Sequence, residues 1–261
     1  MLKTRIITAL ISLVLIGIVL FVVPRQYTEL IIGVLLVAGA WEWSGFLGTS
    51  GAGMRLVYTA IVAVALGLIY FVVPEKTTLV LQIGCVWWCL AFFWNLRFPT
   101  PIPAALRWIS GLLVIVPLYA ALVSLLRLGV EYLIFTLLIV WAADAGAYFA
   151  GKKFGRVKLA PAISPGKTWE GVVGGLLLVA VLATGVAVWR DVSPAVLLPF
   201  CLAVAAISIV GDLTVSMFKR TAGVKDSGAL FPGHGGVLDR VDSVAAAAPL
   251  FVLGVGWLGL A

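Results

Sequence analysis

The sequence predicts an all-α, polytopic integral membrane bundle, because it is too apolar to fold as a water-soluble domain. Of its 261 residues, 63% are hydrophobic and only 11% are charged, and the mean hydropathy is +1.18. Soluble domains carry about 25% charged residues, since a polar shell must cover their core. The same composition excludes a disordered chain, a coiled coil, a disulfide scaffold and a typical nucleic-acid-binding domain. We expect a single membrane-embedded domain, residues 1–261.

About nine segments are apolar and long enough to cross the hydrocarbon core as helices, which takes about 20 residues each. The first follows basic residues, as in a signal peptide, but it is too long for one and lacks a small-residue cleavage site, so we expect a retained helix. The second, sixth and eighth contain Glu42, Asp144 and Asp212, acids that a purely structural membrane helix would avoid. The predicted spans are Ile6–Val23, Leu30–Leu47, Leu56–Val73, Thr77–Trp94, Trp108–Leu126, Glu131–Ala150, Gly171–Trp189, Pro194–Phe218 and Val244–Leu260.

The basic residues predict which way the helices face. Nine spans put alternate loops on opposite sides, and the amino-terminal side then carries a large excess of lysine and arginine, which indicates a cytoplasmic N-terminus. The net charge of +7 is therefore an orientation signal rather than a sign of a nucleic-acid partner. The amino-terminal side holds Lys3, Arg5, Arg55, Arg97, Arg107, Lys152, Lys153, Arg156, Lys158, Lys167, Lys219, Arg220, Lys225 and Arg240, and the other side holds Arg25, Lys76, Arg127 and Arg190.

Two long loops on the predicted cytoplasmic side contain most of the polar side chains that could form a site; they are Gly151–Glu170 and Lys219–Ser243. Long loops without regular structure are usually functional in a compact protein. We therefore expect residues 1–140 to form a scaffold with lipid access, and residues 141–261 to form the catalytic helices and loops. The three cysteines lie in apolar stretches, and a single histidine excludes a multi-histidine zinc site.

The first polar cluster runs from Asp144 to Gly175 and suits a phosphate or an ion. Asp144 lies inside a span, where an ionised side chain is costly unless it is paired or hydrated; a site is favoured over a carboxylate that only fixes packing. The run from Ser164 to Glu170 precedes a helix, whose free N–H groups and dipole favour an anion. It is not a nucleotide-binding P-loop, because Pro161 stands where that loop requires a glycine.

The second polar cluster runs from Gly211 to Ser243 and is denser in charge. Its glycines beside His234 allow a backbone to approach a ligand closely. Carboxylate oxygens suit Mg²⁺, which proteins hold through one or two acids plus substrate phosphates, while lysine and arginine bind phosphate oxygens. The cluster therefore predicts metal-assisted chemistry on a phosphate at a membrane surface. Its charged residues are Asp212, Lys219, Arg220, Lys225, Asp226, Asp239, Arg240 and Asp242.

The spacing within both clusters carries a family resemblance. The second reads Ser216-x-Phe218-Lys219-Arg220, four residues, Lys225-Asp226-x-Gly228, two residues, then Phe231-Pro232-x-His234-Gly235-Gly236-Val237-x-Asp239-Arg240-Val241-Asp242. It resembles the signature of the CDP-diacylglycerol synthases, or phosphatidate cytidylyltransferases. The first cluster is similar to the Asp-x-Gly-Ala-Tyr and Ser-Pro-x-Lys-Thr-x-Glu-Gly runs of that family, in which many members have a second lysine at the position of Gly166.

The resemblance implies a Mg²⁺-dependent nucleotidyltransferase of phospholipid biosynthesis that converts CTP and phosphatidate into CDP-diacylglycerol and pyrophosphate. It implies a multi-pass protein of the cell inner membrane whose active site faces the cytoplasm. Its partners would be CTP, phosphatidate and membrane lipids, with no nucleic acid. Two points stay open: whether a monovalent cation joins the Mg²⁺, and whether the lipid-exposed surface forms a homodimer, which it permits but does not demand.

The resemblance also assigns roles, residue by residue. The implied metal ligands are Asp212, Asp239 and Asp144. The implied catalytic residues are Asp144, Lys167, Lys219, Arg220, Lys225, Asp226, His234, Asp239, Arg240 and Asp242. The implied substrate-binding residues are Ser164, Lys167, Thr168, Glu170, Ser216, Lys219, Arg220, Gly235 and Gly236. For His234, donation to the leaving pyrophosphate and fixing of the glycine loop stay equally open.

Two other functions compete with this interpretation. A CTP-dependent polyprenol kinase would share the nucleotide and the metal, but its sequence should lack the complete second run. A transporter would place its polar residues near the bilayer midplane, often in paired repeats, whereas here they crowd at one interface and no repeat is visible. The Asp-Gly-x-x-Ala-Arg run of the CDP-alcohol phosphotransferases does not occur.

Overall fold

The computed structural model describes residues 2–48, 51–72, 74–231, 233 and 235–260, without the side chains of residues 2–10, 12 and 74. Within these residues the chain forms nine α-helices. They are α1 (Leu2–Phe21), α2 (Arg25–Trp43), α3 (Ala52–Gly67), α4 (Thr77–Arg97), α5 (Ala104–Leu128), α6 (Val130–Phe154), α7 (Trp169–Arg190), α8 (Pro194–Thr221) and α9 (Leu238–Leu258).

The helices confirm the predicted all-α, polytopic architecture. Eight of them, α2 to α9, are long and apolar enough to cross a membrane; α2 and α3 are counted with the short turns that extend them, Ser44–Phe46 and the π-helical Leu68–Val72. The span predicted at Ile6–Val23 coincides with α1, most of whose first half lies outside the described side chains. The cytoplasmic position of the N-terminus stays a prediction.

The largest difference from the predicted spans is at α9. This helix begins at Leu238, six residues before the predicted Val244, and α8 runs on to Thr221. The predicted loop Lys219–Ser243 is therefore wrong at both ends, and the loop proper connects Thr221 to Leu238. Asp239, Arg240 and Asp242 consequently stand on the first turns of a helix, where the backbone fixes their spacing.

The second difference is a small β-hairpin in the loop that was expected to lack regular structure. Strands β1 (Lys158–Ala160) and β2 (Ser164–Thr168) pair antiparallel, with Lys158 opposite Thr168 and Ala160 opposite Ser164. The strands are short, and β2 contains a proline and a glycine, residues that are depleted in strands. The hairpin joins α6 to α7.

Small residues let α6 and α7 pack with their backbones in close contact. A Cβ atom at Gly146 of α6 would lie 2.6 Å from the carbonyl oxygen of Gly174, and one at Gly175 of α7 would lie 2.6 Å from that of Ala143. Membrane helices associate through such small-residue faces, because lipid provides no hydrophobic force between them. The two helices therefore form one unit that holds the hairpin.

Aromatic residues fix the last turns of α8 against α2 and α4. The Phe218 ring lies 4.9 Å from the Trp43 ring and 5.8 Å from the Trp94 ring, between centroids. One turn earlier, Asn95 Nδ2 of α4 donates to Thr214 Oγ1 at 3.0 Å. These contacts set the position of Lys219, the residue that follows Phe218.

At the opposite end of the bundle, an ion pair ties the start of α2 to the end of α5. Arg127 donates from Nε and Nη2 to the two carboxylate oxygens of Glu29, at 3.1 and 3.3 Å. Glu29 is buried, and Arg25 lies 3.8 Å from the same carboxylate. Helix α2 thus carries a buried acid near each end, Glu29 here and Glu42 at the other.

Candidate active site

The polar side chains of both sequence clusters gather at one end of the bundle. At this end α2, α6 and α8 finish, α7 and α9 begin, and the hairpin connects α6 to α7. The following contacts show how each element brings its polar residue to this end.

The hairpin is held in place from three directions. The Glu170 carboxylate accepts hydrogen bonds from the Val157 amide at 3.1 and 3.2 Å, which closes the end of the loop onto the start of α7. Arg220 Nε of α8 donates to the Ile163 carbonyl at the hairpin turn, at 3.0 Å, and the Ile163 side chain is buried. The buried Thr168 hydroxyl accepts from the Gly171 amide at 3.1 Å and so caps α7.

This support directs Lys167 of β2 towards Asp212 of α8. Their Nζ and Oδ2 atoms lie 2.5 Å apart, with the side chains 27% and 26% exposed. The Ser216 hydroxyl, one turn further along α8, donates to Asp212 Oδ1 at 3.1 Å. The pair is therefore oriented by the protein yet open to a ligand.

A second lysine–aspartate pair joins the end of α8 to the start of α9. Lys219 Nζ lies 2.8 Å from Asp239 Oδ1, and the two side chains are only 10% and 7% exposed. The other oxygen, Asp239 Oδ2, accepts from the amides of Ser227 and Gly236 at 2.8 and 2.9 Å and from the Ser227 hydroxyl at 2.8 Å. All four contacts fix this carboxylate more tightly than that of Asp212.

Two further acids lie within electrostatic range of these pairs. The charge of Asp144 on α6 interacts with those of Asp212 and Lys167, and the charge of Asp242 on α9 interacts with those of Asp212, Lys167 and Lys219. Asp144 is exposed on its helix, while Asp242 is half-buried. Three acids and two lysines therefore share one region, and Asp239 adjoins it through its contact with Lys219.

The donor chemistry of this region fits a hard cation such as Mg²⁺. Among the described residues, no three side chains of the metal-ligating types are close enough to form a complete site. Mg²⁺ needs no such cage, since one or two carboxylates suffice when substrate phosphates and water supply the other ligands. Asp212 fits that role best, because its carboxylate has two contacts in the described part of the chain, from Lys167 and Ser216, and its side chain is 26% exposed, whereas the carboxylate of Asp239 has four contacts and its side chain is 7% exposed.

The remaining predicted site residues lie at the same end but in different settings. Lys225, Asp226 and Arg240 are exposed, and Ser164 begins β2. The prediction for His234 falls outside the described residues. Two glycines near it make room for carboxylates: a Cβ atom at Gly235 would lie 2.5 Å from Asp239 Oδ2, and one at Gly236 would overlap the Glu42 carboxylate. Their expected role in admitting a ligand stays a prediction.

Sequence reasoning missed Glu42 as a member of this site. Its side chain, on the last turn of α2, is buried and reaches the Val237 and Leu238 amides and the Ser227 hydroxyl. The available signal was an acid within an apolar segment, which marks a functional or paired position but does not reveal the partner. The partner lies almost two hundred residues away in the chain.

A cavity of about 360 Å³ lies at the opposite end of the bundle, away from these residues. It opens between α6, α7, α8 and α9, and its lining is mostly apolar, with Phe135, Phe200 and Phe251 among the residues. Glu131 and Arg190 stand at its rim. Because none of the candidate site residues lines it, the lysine–aspartate pairs mark the site and this cavity does not.

Comparison with known proteins identifies the family. The model of the cytidylyltransferase family matches residues 3–257. The phosphatidate cytidylyltransferase of Pseudomonas aeruginosa is 43% identical over 98% of this chain and 99% of its own length, and that of Haemophilus influenzae is 37% identical over 96% and 97%. That of Brucella suis is 45% identical over 50% of each chain. The chain therefore belongs to the cytidylyltransferase family and is a nucleotidyltransferase.

Proposed function

We propose that this enzyme is a phosphatidate cytidylyltransferase, which converts CTP and phosphatidate into CDP-diacylglycerol and pyrophosphate. The observation that carries the proposal is the pair of lysine–aspartate contacts, Lys167 with Asp212 and Lys219 with Asp239, at one end of a membrane bundle. Relatives of that name match almost the full chain. A lipid phosphate and a nucleoside triphosphate are both anions, and their binding requires positively charged groups. The two lysines, held at one end of the bundle, would supply them.

The reaction needs positioning and charge neutralisation more than acid–base chemistry. A phosphate oxygen of phosphatidate attacks the α-phosphorus of CTP, and the bond from that phosphorus to the β-phosphate oxygen breaks, so pyrophosphate leaves with the electron pair. The nucleophile is already anionic, and no strong base is required. Lys167 and Lys219 can donate to phosphate oxygens and offset the charge that develops on them.

The acids have a different task, which is to hold the lysines and a cation. When bound, Mg²⁺ supplies further neutralisation of the triphosphate, and Asp212 with Asp144 would hold it. Asp239 could join them only by giving up part of its contact with Lys219 or with the loop amides. Arg220, Lys225 and Arg240 are the additional phosphate ligands that we propose.

The site is proposed to face the cytoplasm, where CTP is available, in the inner membrane of the cell. The support is the distribution of charge, since most lysines and arginines fall on the side of the candidate site. The product would then feed phospholipid biosynthesis at that membrane surface.

The test is pyrophosphate release from the purified protein in detergent–phosphatidate micelles with CTP and Mg²⁺, each omitted in turn. We expect release only with all three, and none when EDTA removes the metal. Replacing phosphatidate with a polyprenol, and measuring CDP as well as pyrophosphate, separates this reaction from that of a polyprenol kinase, which transfers the γ-phosphoryl group and releases CDP. Turnover on polyprenol but not on phosphatidate would refute the proposal.

A further inference from the structure

Glu42 makes three hydrogen bonds to the segment that leads into α9. Its Oε1 accepts from the Val237 amide at 2.9 Å, and its Oε2 accepts from the Leu238 amide at 3.0 Å and from the Ser227 hydroxyl at 3.1 Å. The residue is only 7% exposed. A buried carboxylate needs such donors, because burial removes its contact with water.

The N-cap residue of α9 is Val237, which has no polar side chain and so provides no side-chain cap. Among the described residues, the Arg240 amide bonds back to the Val237 carbonyl, whereas the Val237 and Leu238 amides bond to Glu42. Glu42 supplies the cap from α2, and its negative charge is favourable beside the positive end of the helix dipole. This anion already occupies the helix terminus, which is therefore not a phosphate site.

Ser227 connects Glu42 with Asp239. Its hydroxyl oxygen lies 3.1 Å from Glu42 Oε2 and 2.8 Å from Asp239 Oδ2, so the two carboxylates compete for one proton, and its amide also donates to Asp239. Two glycines, Gly228 and Gly236, leave room for the Glu42 carboxylate, which a Cβ atom at either position would overlap. The loop is therefore built around Glu42.

From these contacts we propose that Glu42 is a positioning residue of the active site. Its carboxylate fixes the first turn of α9 and Ser227, and through them it holds Asp239 in contact with Lys219. Glu42 itself touches no substrate. The effect on turnover rests on the proposed function, whereas the effect on the loop does not.

The test compares Glu42→Gln with Glu29→Gln in the full-length protein. Glutamine keeps the size of the Glu42 side chain but removes its charge. Its amide NH₂ group must also face a hydrogen-bond donor, either the Val237 amide or the Leu238 amide with the Ser227 hydroxyl. Residue 29 is the matched control, because it is the other buried acid of α2, about 20 Å away along the helix. Its replacement should lower the melting temperature and leave kcat per folded molecule unchanged.

For Glu42→Gln we expect kcat per folded molecule to fall by about tenfold or more, the usual range for partners that orient a ligand-binding group. KM for CTP should change little, since Glu42 makes no substrate contact. Ser227→Ala should lower kcat in the same direction, and its effect should shrink in the Glu42→Gln background, since both act through one contact. If Glu42 only stabilised the fold, the effects of Glu42→Gln and Ser227→Ala on kcat would be independent of each other.

A second readout does not depend on the reaction. Trypsin cleaves after lysine, and Lys225 is exposed in the loop that Glu42 holds, so we expect limited digestion of the native protein to cut there. Cleavage there should be faster in Glu42→Gln than in the wild type or Glu29→Gln. If the wild type releases no pyrophosphate, the proposed function fails and the trypsin rates still decide the role of Glu42. Wild-type kcat in Glu42→Gln, or unchanged cleavage, would overturn the positioning role.

Discussion

Lys167 Nζ and Asp212 Oδ2 meet at 2.5 Å across the junction between the hairpin and α8. About a quarter of each side chain is exposed, so a ligand can reach both groups. A phosphate that binds Lys167 competes with Asp212 for the ammonium, and a cation that binds Asp212 competes with the lysine for the carboxylate. A cation and a phosphate bound together would satisfy both residues, so we expect the proposed metal and nucleotide to bind jointly.

Replacing Lys167 should therefore reduce turnover strongly. In Lys167→Gln we expect kcat/KM for CTP to fall by about 100-fold or more, the usual loss when one donor to developing charge is removed. The matched control is Lys158→Gln, which removes an exposed lysine from the paired strand of the same hairpin. Pyrophosphate release measures both, and an equal loss in the two variants would show that only the charge of the hairpin matters.

Asp239→Asn should abolish turnover while the protein stays folded in membranes. An amide cannot accept from Lys219 on one side and from Ser227 and Gly236 on the other without turning its own N–H group towards a donor. We expect about a 100-fold loss of Mg²⁺-dependent pyrophosphate release, the upper end of the range for ligand-orienting contacts. Asp191→Asn, at the far end of α7, is the control and should keep full activity. Wild-type activity in Asp239→Asn would remove this residue from the site.

The Thr168→Ala variant tests whether the Thr168 hydroxyl caps α7 or binds the substrate. The structure shows the hydroxyl buried and accepting from the Gly171 amide, so its loss should cost about 1 kcal/mol of stability. The melting temperature should fall by about 2–4 °C with KM for CTP unchanged. Thr184→Ala on the same helix loses only an exposed contact to Ala180 and should change neither. A raised KM in Thr168→Ala would instead support the substrate contact implied by the family resemblance.

Gly174→Ala should loosen the packing between α6 and α7. The added Cβ atom would overlap the Cβ atom of Ala150, and neither backbone can retreat without moving the helix. Overpacking of this kind costs about 1–3 kcal/mol, which thermal unfolding in detergent would detect. Gly185→Ala lies on the same helix with open space around it and should be neutral or stabilising. Equal melting temperatures for the two variants would contradict the close packing.

The helices were predictable from sequence because each needs only a local apolar run of sufficient length. The start of α9 was not, since its first six residues, 238–243, are mostly polar and the acid that caps the helix, Glu42, belongs to α2. The hairpin was missed for a similar reason: its strands are held by Glu170 and Arg220 rather than by an alternating pattern of their own. Both the start of α9 and the hairpin therefore depend on contacts between segments that are far apart in the chain.

The candidate site could also be predicted only in part from the sequence. The sequence predicted that Lys167, Asp212, Lys219 and Asp239 belong together, and the structure brings them to one end of the bundle. It did not predict the pairing of lysines with acids, because spacing along the chain specifies residue types and not partners. The proposed roles of these residues in metal and substrate binding stay predictions.

The close contact of α6 with α7 also restricts how a lipid can travel to Lys167. Where Gly146 faces the Gly174 carbonyl, not even one methyl group fits, and an acyl chain is no narrower than a methyl group. Along this stretch the two helices therefore leave no gap for an acyl chain. A phosphatidate molecule would have to reach Lys167 by a route other than this contact, with its tails in the surrounding lipid while the headgroup reacts.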